Sequence, residues 1–189
     1  IWLAEAGEKE QVVNMVSSLS DFFRTTLSKG QDFITVQEEE LHIQSYLQIQ
    51  QFRYQDILDY EIQMDEEIYG YIIPKLTLQP LVENALYHGI KNKRGKGKIL
   101  ITGKKQGDKI IFQVIDNGKG MTEEELNSLR KKMAGTDTGD EAKGFGVSNV
   151  NQRIKYYYGE EYGVFFESKE NEGTNATIII AAKNIQLLS

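Results

Sequence analysis

Apolar residues recur at three- and four-residue steps within the first thirty residues of the chain. The stripe consists of Val12, Val13, Val16, Leu19, Phe22, Phe23 and Leu27. This spacing predicts an amphipathic helix, and a segment so short cannot bury such a stripe by itself. Gly7 and the Ser28-Lys29-Gly30 segment bound the helix. We therefore expect the helix to pack either on its own domain or against another helix in an antiparallel dimerisation hairpin.

The remaining pattern alternates between helical and strand-like periods. Thr35 is expected to cap a helix that runs to about Gln55, because Glu38 stands three residues later as in a capping box. Pro80 favours a helix that begins or kinks there and carries Asn84 on its next turn. Further helices are predicted at Thr122–Met133 and Val147–Tyr158, and strands at Tyr60–Met64, Lys98–Gly103, Lys109–Ile115, Val164–Ser168 and Thr174–Ala182.

These elements predict a two-layer α/β sandwich, in which helices cover one face of a mixed sheet. The strands arrive mostly as adjacent hairpins, with Lys104 to Asp108 joining one pair, which disfavours a doubly wound sheet. The chain contains no Walker loop, since Gly-Lys-Ser and Gly-Lys-Thr do not occur.

Composition narrows the chemistry that the chain can perform. With 40% hydrophobic and 26% charged residues, 189 residues can bury a core. A net charge of -6 argues against nucleic acid as a main partner. The absence of cysteine excludes disulfides and thiolate metal sites, and is compatible with a reducing cytoplasm. No apolar run approaches the ~20 residues of a membrane span, and Ile1 as first residue suggests a fragment of a longer protein.

Three separated stretches supply residues suited to one nucleotide pocket. The first is Leu78-Gln79-Pro80-Leu81-Val82-Glu83-Asn84-Ala85, in which the Asn84 amide offers an oxygen ligand to Mg²⁺. The second is Asp116-Asn117-Gly118-Lys119-Gly120, where the Asp116 carboxylate can accept a hydrogen bond from the exocyclic amine of adenine and repel the oxygen of guanine. The third is Gly144-Phe145-Gly146-Val147, whose glycines allow close backbone approach before a helix amino end that can face phosphates.

The three stretches resemble the N, G1 and G2 boxes of the ATP-binding domain of sensor histidine kinases, in the Bergerat fold group shared with gyrase, Hsp90 and MutL. The Asn84 segment followed by His88-Gly89, with Glu38-Glu39-Glu40-Leu41 upstream, is similar to LytS/YehU-type membrane kinases. The resemblance covers nearly all of the chain. It implies a partial dimerisation hairpin and linker at 1–34 and a catalytic domain at 35–189.

The resemblance also implies the ligands and the residues that hold them. ATP and Mg²⁺ are the expected cofactors, with Asn84 as metal ligand and with Asn84 and His88 as catalytic candidates. Lys91 is the basic residue best placed to touch a phosphate. The other expected nucleotide-binding residues are Asp116, Gly118, Gly120, Gly144, Phe145, Gly146, Val147 and Thr174, the last because Gly173-Thr174 resembles the final box of the fold group.

The segment between the second and third stretches is expected to form a lid. Ala134 to Asp140 consists mainly of small residues that can order over a ligand and open again. An ordinary surface loop is the alternative interpretation.

The residue four positions before Asn84 indicates the class of reaction. ATPases of this fold group carry a glutamate there as base for a water, whereas this chain has Pro80, which favours transfer of the phosphoryl group over hydrolysis. Glu83, the direct neighbour of Asn84, is expected either to shape the metal shell or to face solvent. The resemblance implies a histidine acceptor in an Asn-Pro-His-Phe-type box upstream of Ile1, and then an aspartate of a response regulator. His42 is interpreted as a surface or linker histidine, so the fragment should bind ATP without phosphorylating itself.

Two other functional classes remain open at this point. One is a domain that binds nucleotide for conformational control without transfer, and the other is a serine kinase of the anti-sigma-factor type. The long amphipathic helix before the pocket argues against the second. We expect a homodimer through the N-terminal helices, and a cytoplasmic domain whose only tie to the membrane is through upstream segments.

Overall fold

A computed structural model describes residues 5–27, 31–54, 57–91, 93, 95–135 and 145–183, with only the backbone of Phe145 described. Its helices are α1 (Lys9–Leu27), α2 (Val36–Arg53), α3 (Gln79–Asn84), α4 (Glu123–Met133) and α5 (Phe145–Tyr158). Its strands are β1 (Phe33–Thr35), β2 (Leu58–Met64), β3 (Ile72–Pro74), β4 (Gly97–Gln106), β5 (Lys109–Asp116), β6 (Gly163–Lys169) and β7 (Gly173–Ala181). A short 3₁₀ turn, Glu66–Ile68, and a π-helical turn, Ala85–Ile90, complete the described elements.

Five of the strands form one mixed sheet in the order β2-β4-β5-β7-β6. β2 pairs with β4 in parallel, and the other neighbours are antiparallel. β1 and β3 form a separate antiparallel pair. Within the described chain, the predicted mixed sheet built largely from hairpins is confirmed.

The core lies between this sheet and the helices on one of its faces. Burial alternates along β5, where Ile110, Phe112 and Val114 are buried and the residues between them are partly exposed. Buried apolar residues of α3 and α5, among them Leu81 and Val150, belong to the same cluster. A strand with one buried face shows this period of two. The predicted two-layer sandwich with helices on one face is therefore confirmed.

The capping signals in the sequence correspond to real helix starts. The Thr35 side chain accepts the Glu38 N–H while the Glu38 carboxylate accepts the Thr35 N–H, a complete capping box. Thr122 and Glu125 form the same arrangement at the start of α4. α2 ends at Arg53 rather than at Gln55. A capping box depends on residues three apart, which explains why the sequence alone predicted the one at Thr35 and the helix start at Thr122.

α3 begins one residue before Pro80, as the sequence allowed. Proline suits the first helical turn because that turn has no internal partner for its N–H groups. α3 extends only six residues and passes directly into the π-helical turn, so Asn84 stands where the helix changes its winding. Single-turn π segments inside helices are frequent at functional sites.

α1 lies along α2 through both aromatic and polar contacts. The Ser18 hydroxyl donates to Gln48 Oε1 over 2.7 Å, and the Thr25 hydroxyl lies 2.8 Å from His42 Nδ1. Much of the predicted apolar stripe stays on the outside, since Val13 and Leu27 are 65% and 71% exposed. The division of the chain at residue 34 stays a prediction. Of the helices that the structure describes, none combines the length and the apolar character that a bilayer crossing requires.

Candidate nucleotide site

A cavity of about 220 Å³ opens between α3, the π-helical turn, α4 and the carboxyl end of β5. It brings together residues from all parts of the chain after residue 80. Its lining consists of Leu81, Asn84, Ala85, His88, Gly89, Val114, Asp116, Lys119, Gly120, Met121, Glu125, Leu129, Phe166, Thr174 and Ala176. The predicted residues Asn84, His88, Asp116, Gly120 and Thr174 therefore share one cavity, although up to 90 positions separate them along the chain.

Asp116 is the buried polar group of this cavity. It ends β5 and is 5% exposed. Its Oδ1 accepts the Gly118 N–H over 2.8 Å. Burial raises the pKa of the Asp116 carboxyl to about 6, against the lowering effect of backbone hydrogen bonds from Gly118 and Thr174 and of the Lys93 charge. At neutral pH the group is therefore mostly ionised and can accept a further hydrogen bond.

Two glycines make room for the Asp116 carboxylate. A Cβ on Gly89 would lie 2.5 Å from Asp116 Oδ1, and a Cβ on Gly118 would lie 2.6 Å from the same oxygen and 2.4 Å from the backbone of Gly89. No larger side chain fits either position without displacing the carboxylate. Gly89 was quoted in the resemblance but was not among the predicted site residues, because only its contact with β5 reveals its role.

Asn84 and His88 lie one helical turn apart on the side of the cavity formed by α3 and the π-helical turn. Asn84 is half-buried, whereas His88 is exposed. Within the described residues no group of three or more His, Asp or Glu side chains is placed to hold a metal ion. A lone amide oxygen fits Mg²⁺ only when phosphates and water supply the other ligands, which is the usual arrangement for this ion.

The turn between β6 and β7 closes the end of the cavity near Thr174. Ser168 Oγ donates to the Gly173 carbonyl over 2.8 Å and lies 2.9 Å from Thr174 Oγ1. Gly120 has a φ of 64°, and a Cβ there would lie 2.0 Å from the carbonyl oxygen of Lys169. Glycine is thus required at position 120, because the backbone there has a positive φ and lies against the end of β6.

The predicted phosphate side is only partly described. Gly144 and most of the predicted lid, residues 136–140, lie outside the described residues, and Phe145 contributes backbone alone. Gly146 lies in the first turn of α5, where an added Cβ would lie 3.3 Å from Pro80 Cβ, and Val147 is 1% exposed in the core. The Lys91 ammonium lies 5.9 Å from the centre of the Tyr87 ring, outside the set of residues that line the cavity.

An apolar wall was not predicted from the sequence. Met121, Leu129, Phe166 and Ala176 also line the cavity. Such a wall suits the faces of a purine ring, since ligand pockets combine apolar walls with a few placed polar groups. Only Met121 lies beside a recognised motif, and the others reach the cavity through the packing of α4 and the sheet.

The interpretation of His42 as a surface or linker histidine is wrong. His42 is 1% exposed, and its ring stacks on Phe22 with centroids 4.9 Å apart. His42 Nδ1 lies 2.8 Å from Thr25 Oγ1, and His42 Nε2 lies 2.7 Å from Gln79 Oε1. Burial lowers the pKa of His42, and the hydrogen bond to Gln79 opposes that shift. A residue of α1 and a residue of α3 thus enclose a histidine that its own helix appeared to expose.

Two sequence profiles match the chain. The profile of the family described as "Histidine kinase-, DNA gyrase B-, and HSP90-like ATPase" matches residues 74–184, which include all described residues of the cavity. The profile described as "Histidine kinase" matches residues 1–58.

Curated relatives include larger sensor proteins. Sensor histidine kinase YesM of Bacillus subtilis (strain 168) is 35% identical over 183 residues, which are 97% of this chain and 30% of YesM. Sensor protein LytS of Bacillus anthracis is 31% identical over 175 residues, 92% of this chain and 29% of LytS. The chain thus spans about 30% of the length of these relatives.

Solved structures share the fold. The catalytic domain of histidine kinase ThkA aligns with a TM-score of 0.59 and 20% identity, covering 80% of this chain and 99% of that domain. ThkA in complex with the response regulator protein TrrA aligns with a TM-score of 0.56 and 18% identity, over 91% of this chain and 49% of ThkA. At these identities the likeness supports the sandwich architecture alone.

Proposed function

This chain belongs to the histidine kinase-, DNA gyrase B- and HSP90-like ATPase family, and from that premise we propose that it is the ATP-binding catalytic part of a two-component sensor histidine kinase. The observation that carries the proposal is the shared cavity, in which Asn84 and Asp116 face one space from different elements. In this proposal the Asn84 amide binds the metal ion at the phosphate end of Mg-ATP. The Asp116 carboxylate binds the amine at the adenine end.

Asp116 provides the selection of adenine in this proposal. Asp116 Oδ1 accepts the Gly118 N–H, and we assign to Oδ2 the hydrogen bond from the base. An ionised carboxylate accepts from the exocyclic amine of adenine, while the carbonyl oxygen of guanine at the same place would be repelled. The apolar wall around Met121 and Phe166 would hold the ring faces.

Asn84 provides the contact to Mg²⁺, and His88 lies beside it toward the triphosphate. The ion would neutralise charge on the phosphates when it is bound. The predicted roles of Lys91, Gly144, Phe145, Gly146 and Val147 toward the phosphates stay proposals.

The reaction is transfer of the γ-phosphoryl group to a histidine. The bond between the γ-phosphorus and its bridging oxygen breaks, a P–N bond to an imidazole nitrogen forms, ADP leaves, and the imidazole loses its proton. His42 is unsuited as acceptor, because both of its ring nitrogens lie within hydrogen-bond distance of Thr25 and Gln79 inside the protein. The acceptor is therefore proposed to belong to the longer protein, and the phosphoryl group then passes to a response regulator aspartate.

The N-terminal helix supplies the proposed dimer contact. α1 exposes four large apolar side chains by 54% to 71%, namely Val13, Val16, Phe23 and Leu27. An exposed apolar patch of this kind marks an interaction surface. Packing against a second copy would bury it, as in helical bundles. ThkA has been solved with a response regulator, and we propose a receiver domain as partner of this protein too. In a longer protein of this type, the chain would be the cytoplasmic portion of a membrane sensor.

Two measurements test this proposal. Calorimetry on the 189-residue chain should show binding of Mg-ATP and much weaker binding of Mg-GTP. A longer protein with an upstream histidine, incubated with labelled ATP, should yield a product that is labile in acid and stable in base, as phosphohistidine is. An acid-stable product would favour a serine kinase, and ATP binding without any labelled product would favour a domain that only senses nucleotide.

A further inference from the structure

A line of side-chain hydrogen bonds joins the N-terminal helix to the helix that carries Asn84. Thr25 of α1 lies 2.8 Å from His42 Nδ1, and His42 Nε2 lies 2.7 Å from Gln79 Oε1. Gln79 Nε2 donates to Glu83 Oε1 over 2.8 Å, and Glu83 is the direct neighbour of Asn84. The line thus crosses from α1 through α2 into the first turn of α3.

The chemistry of the groups fixes the direction of the bonds on the α3 side. Gln79 donates through its nitrogen to the Glu83 carboxylate, so its oxygen faces His42 and His42 Nε2 must carry a proton. In neutral His42 the unprotonated Nδ1 can accept from the Thr25 hydroxyl, which also lies 2.9 and 3.0 Å from the carbonyl oxygens of Asp21 and Phe22. The imidazole thus joins the two helices, and each ring nitrogen contacts a different one.

α3 depends on such outside support. It has six residues, its N-cap residue Leu78 makes no side-chain capping bond, and Pro80 lacks an N–H. Helices this short are not stable by propensity alone. α2 supplies the missing partners, since Glu39 accepts the Leu76 and Leu78 N–H groups over 3.0 and 2.7 Å, and His42 holds Gln79.

We propose that His42 is a positioning residue that couples the seating of α1 on α2 to the order of the Asn84 helix. Glu39 holds the start of α3 from α2 alone, whereas His42 is bonded to α1 and α3 at once. Loss of the Thr25 contact would free the ring to turn, weaken its bond to Gln79, and loosen the helix that presents Asn84. The consequence for ATP rests on the proposed function, but the mechanical coupling does not.

Thr25→Val removes the α1 end of the line with little change of shape. Ser18→Ala is the matched control, because Ser18 donates to Gln48 across the same α1–α2 interface over 2.7 Å, at a residue of α2 other than His42. Thr25→Ser keeps the hydroxyl and should restore the coupling. All three substitutions fall on α1, away from the cavity, so the fold should persist in each variant.

Amide hydrogen exchange of the nucleotide-free 189-residue chain measures the order of the Asn84 helix directly. We expect Thr25→Val to raise exchange across residues 82–90 about fivefold, the loss of one hydrogen bond, while Ser18→Ala and Thr25→Ser leave it within about twofold of wild type. The ¹⁵N resonances of His42 should also move in Thr25→Val and return in Thr25→Ser. Unchanged exchange across residues 82–90 in Thr25→Val, or an equal rise in Ser18→Ala, would overturn the coupling.

Mg-ATP affinity, measured by calorimetry on the same variants, separates the two proposals. Weaker binding in Thr25→Val than in Ser18→Ala would support coupling to the nucleotide site. Failure of the wild type to bind Mg-ATP would overturn the proposed function and leave the exchange result standing. Normal wild-type binding with no exchange change in Thr25→Val would overturn the coupling and leave the proposed function standing.

Discussion

Gly89 offers the sharpest test of the cavity because two physical effects predict opposite results there. Gly89 lies in the π-helical turn after α3, and a Cβ at this position would lie 2.5 Å from Asp116 Oδ1 and 2.9 Å from Asp116 Cγ. Gly89→Ala adds one methyl group at the point where the helix touches the carboxylate. Helix propensity alone favours alanine by about 1 kcal/mol, whereas the overlap requires Asp116 to move.

The overlap should prevail. Inserting a methyl group into a packed site costs about 1–3 kcal/mol, so the free energy of unfolding should fall by up to about 2 kcal/mol after the propensity gain. Displacing Asp116 would also remove the hydrogen bond that we propose between it and the base, and a bond to a charged group contributes about 1.5–3 kcal/mol. ATP affinity should therefore drop by roughly 10- to 150-fold.

Calorimetry with Mg-ATP and urea unfolding of the same preparations provide the two readouts. Gly70→Ala is the control, because nothing lies within 4 Å of the added Cβ and Gly70 has no left-handed φ. That variant should bind ATP as wild type does. A Gly89→Ala protein that is more stable than wild type, with affinity within about twofold of it, would show that Gly89 and Asp116 do not meet as described.

Three further changes test separate groups. Asp116→Asn should weaken ATP binding at least about tenfold, because a charged acceptor is lost, while urea unfolding stays as cooperative as in wild type. The ATP affinity of the wild type should also fall below about pH 6, because burial raises the pKa of Asp116 to about 6. An affinity that does not change with pH would contradict this. Asn84→Ala should abolish Mg-dependent transfer in a longer protein, and an equal phosphohistidine yield would remove its metal role. Burial raises the pKa of Glu39 to about 7, so between pH 4.5 and 7 the folded state holds a proton that the unfolded state has lost. The free energy of unfolding should therefore decrease as pH rises through this range. Glu39→Gln should remove this decrease, and the same dependence of stability on pH in both proteins would refute the prediction.

The sequence predicted those elements whose signals are local. The capping box at Thr35 depends on a residue three positions away, and the β4–β5 hairpin on a short polar turn between alternating strands. The motif around Asp116 was likewise predicted from the sequence. Its signal is the end of a strand followed by glycines, and only neighbouring residues are needed to recognise it. Features that depend only on neighbouring residues can be predicted without knowing how the helices and the sheet pack.

The errors and omissions concern residues whose role depends on distant partners. His42 was interpreted as a surface or linker residue, because it lies in the capped helix and has no acceptor-box residues beside it. Its partners are Thr25, 17 positions before it, and Gln79, 37 positions after it. The apolar wall at Phe166 was missed for the same reason, because β6 reaches the cavity only once β7 has paired with β5.

Pro80 links the structure of the helix to the class of reaction. A proline suits the first turn of a helix because the N–H that it lacks would have no partner there. Its ring lies close to α5, where a Cβ added at Gly146 would be 3.3 Å from Pro80 Cβ. Position 80 therefore offers no carboxylate that could activate a water near Asn84. Of the two carboxylates that line the described cavity, Asp116 accepts the Gly118 N–H and Glu125 accepts the Thr122 N–H.

Glu83, the remaining acidic neighbour of Asn84, does not line the cavity, and its carboxylate accepts from Gln79. Hydrolysis thus lacks a positioned base among the described residues, whereas the groups that we propose for nucleotide and metal binding are present. On that proposal the site would retain ATP until another molecule or segment brings a nucleophile of its own. An imidazole is such a nucleophile because its neutral nitrogen attacks without prior deprotonation, which agrees with the histidine acceptor that we propose.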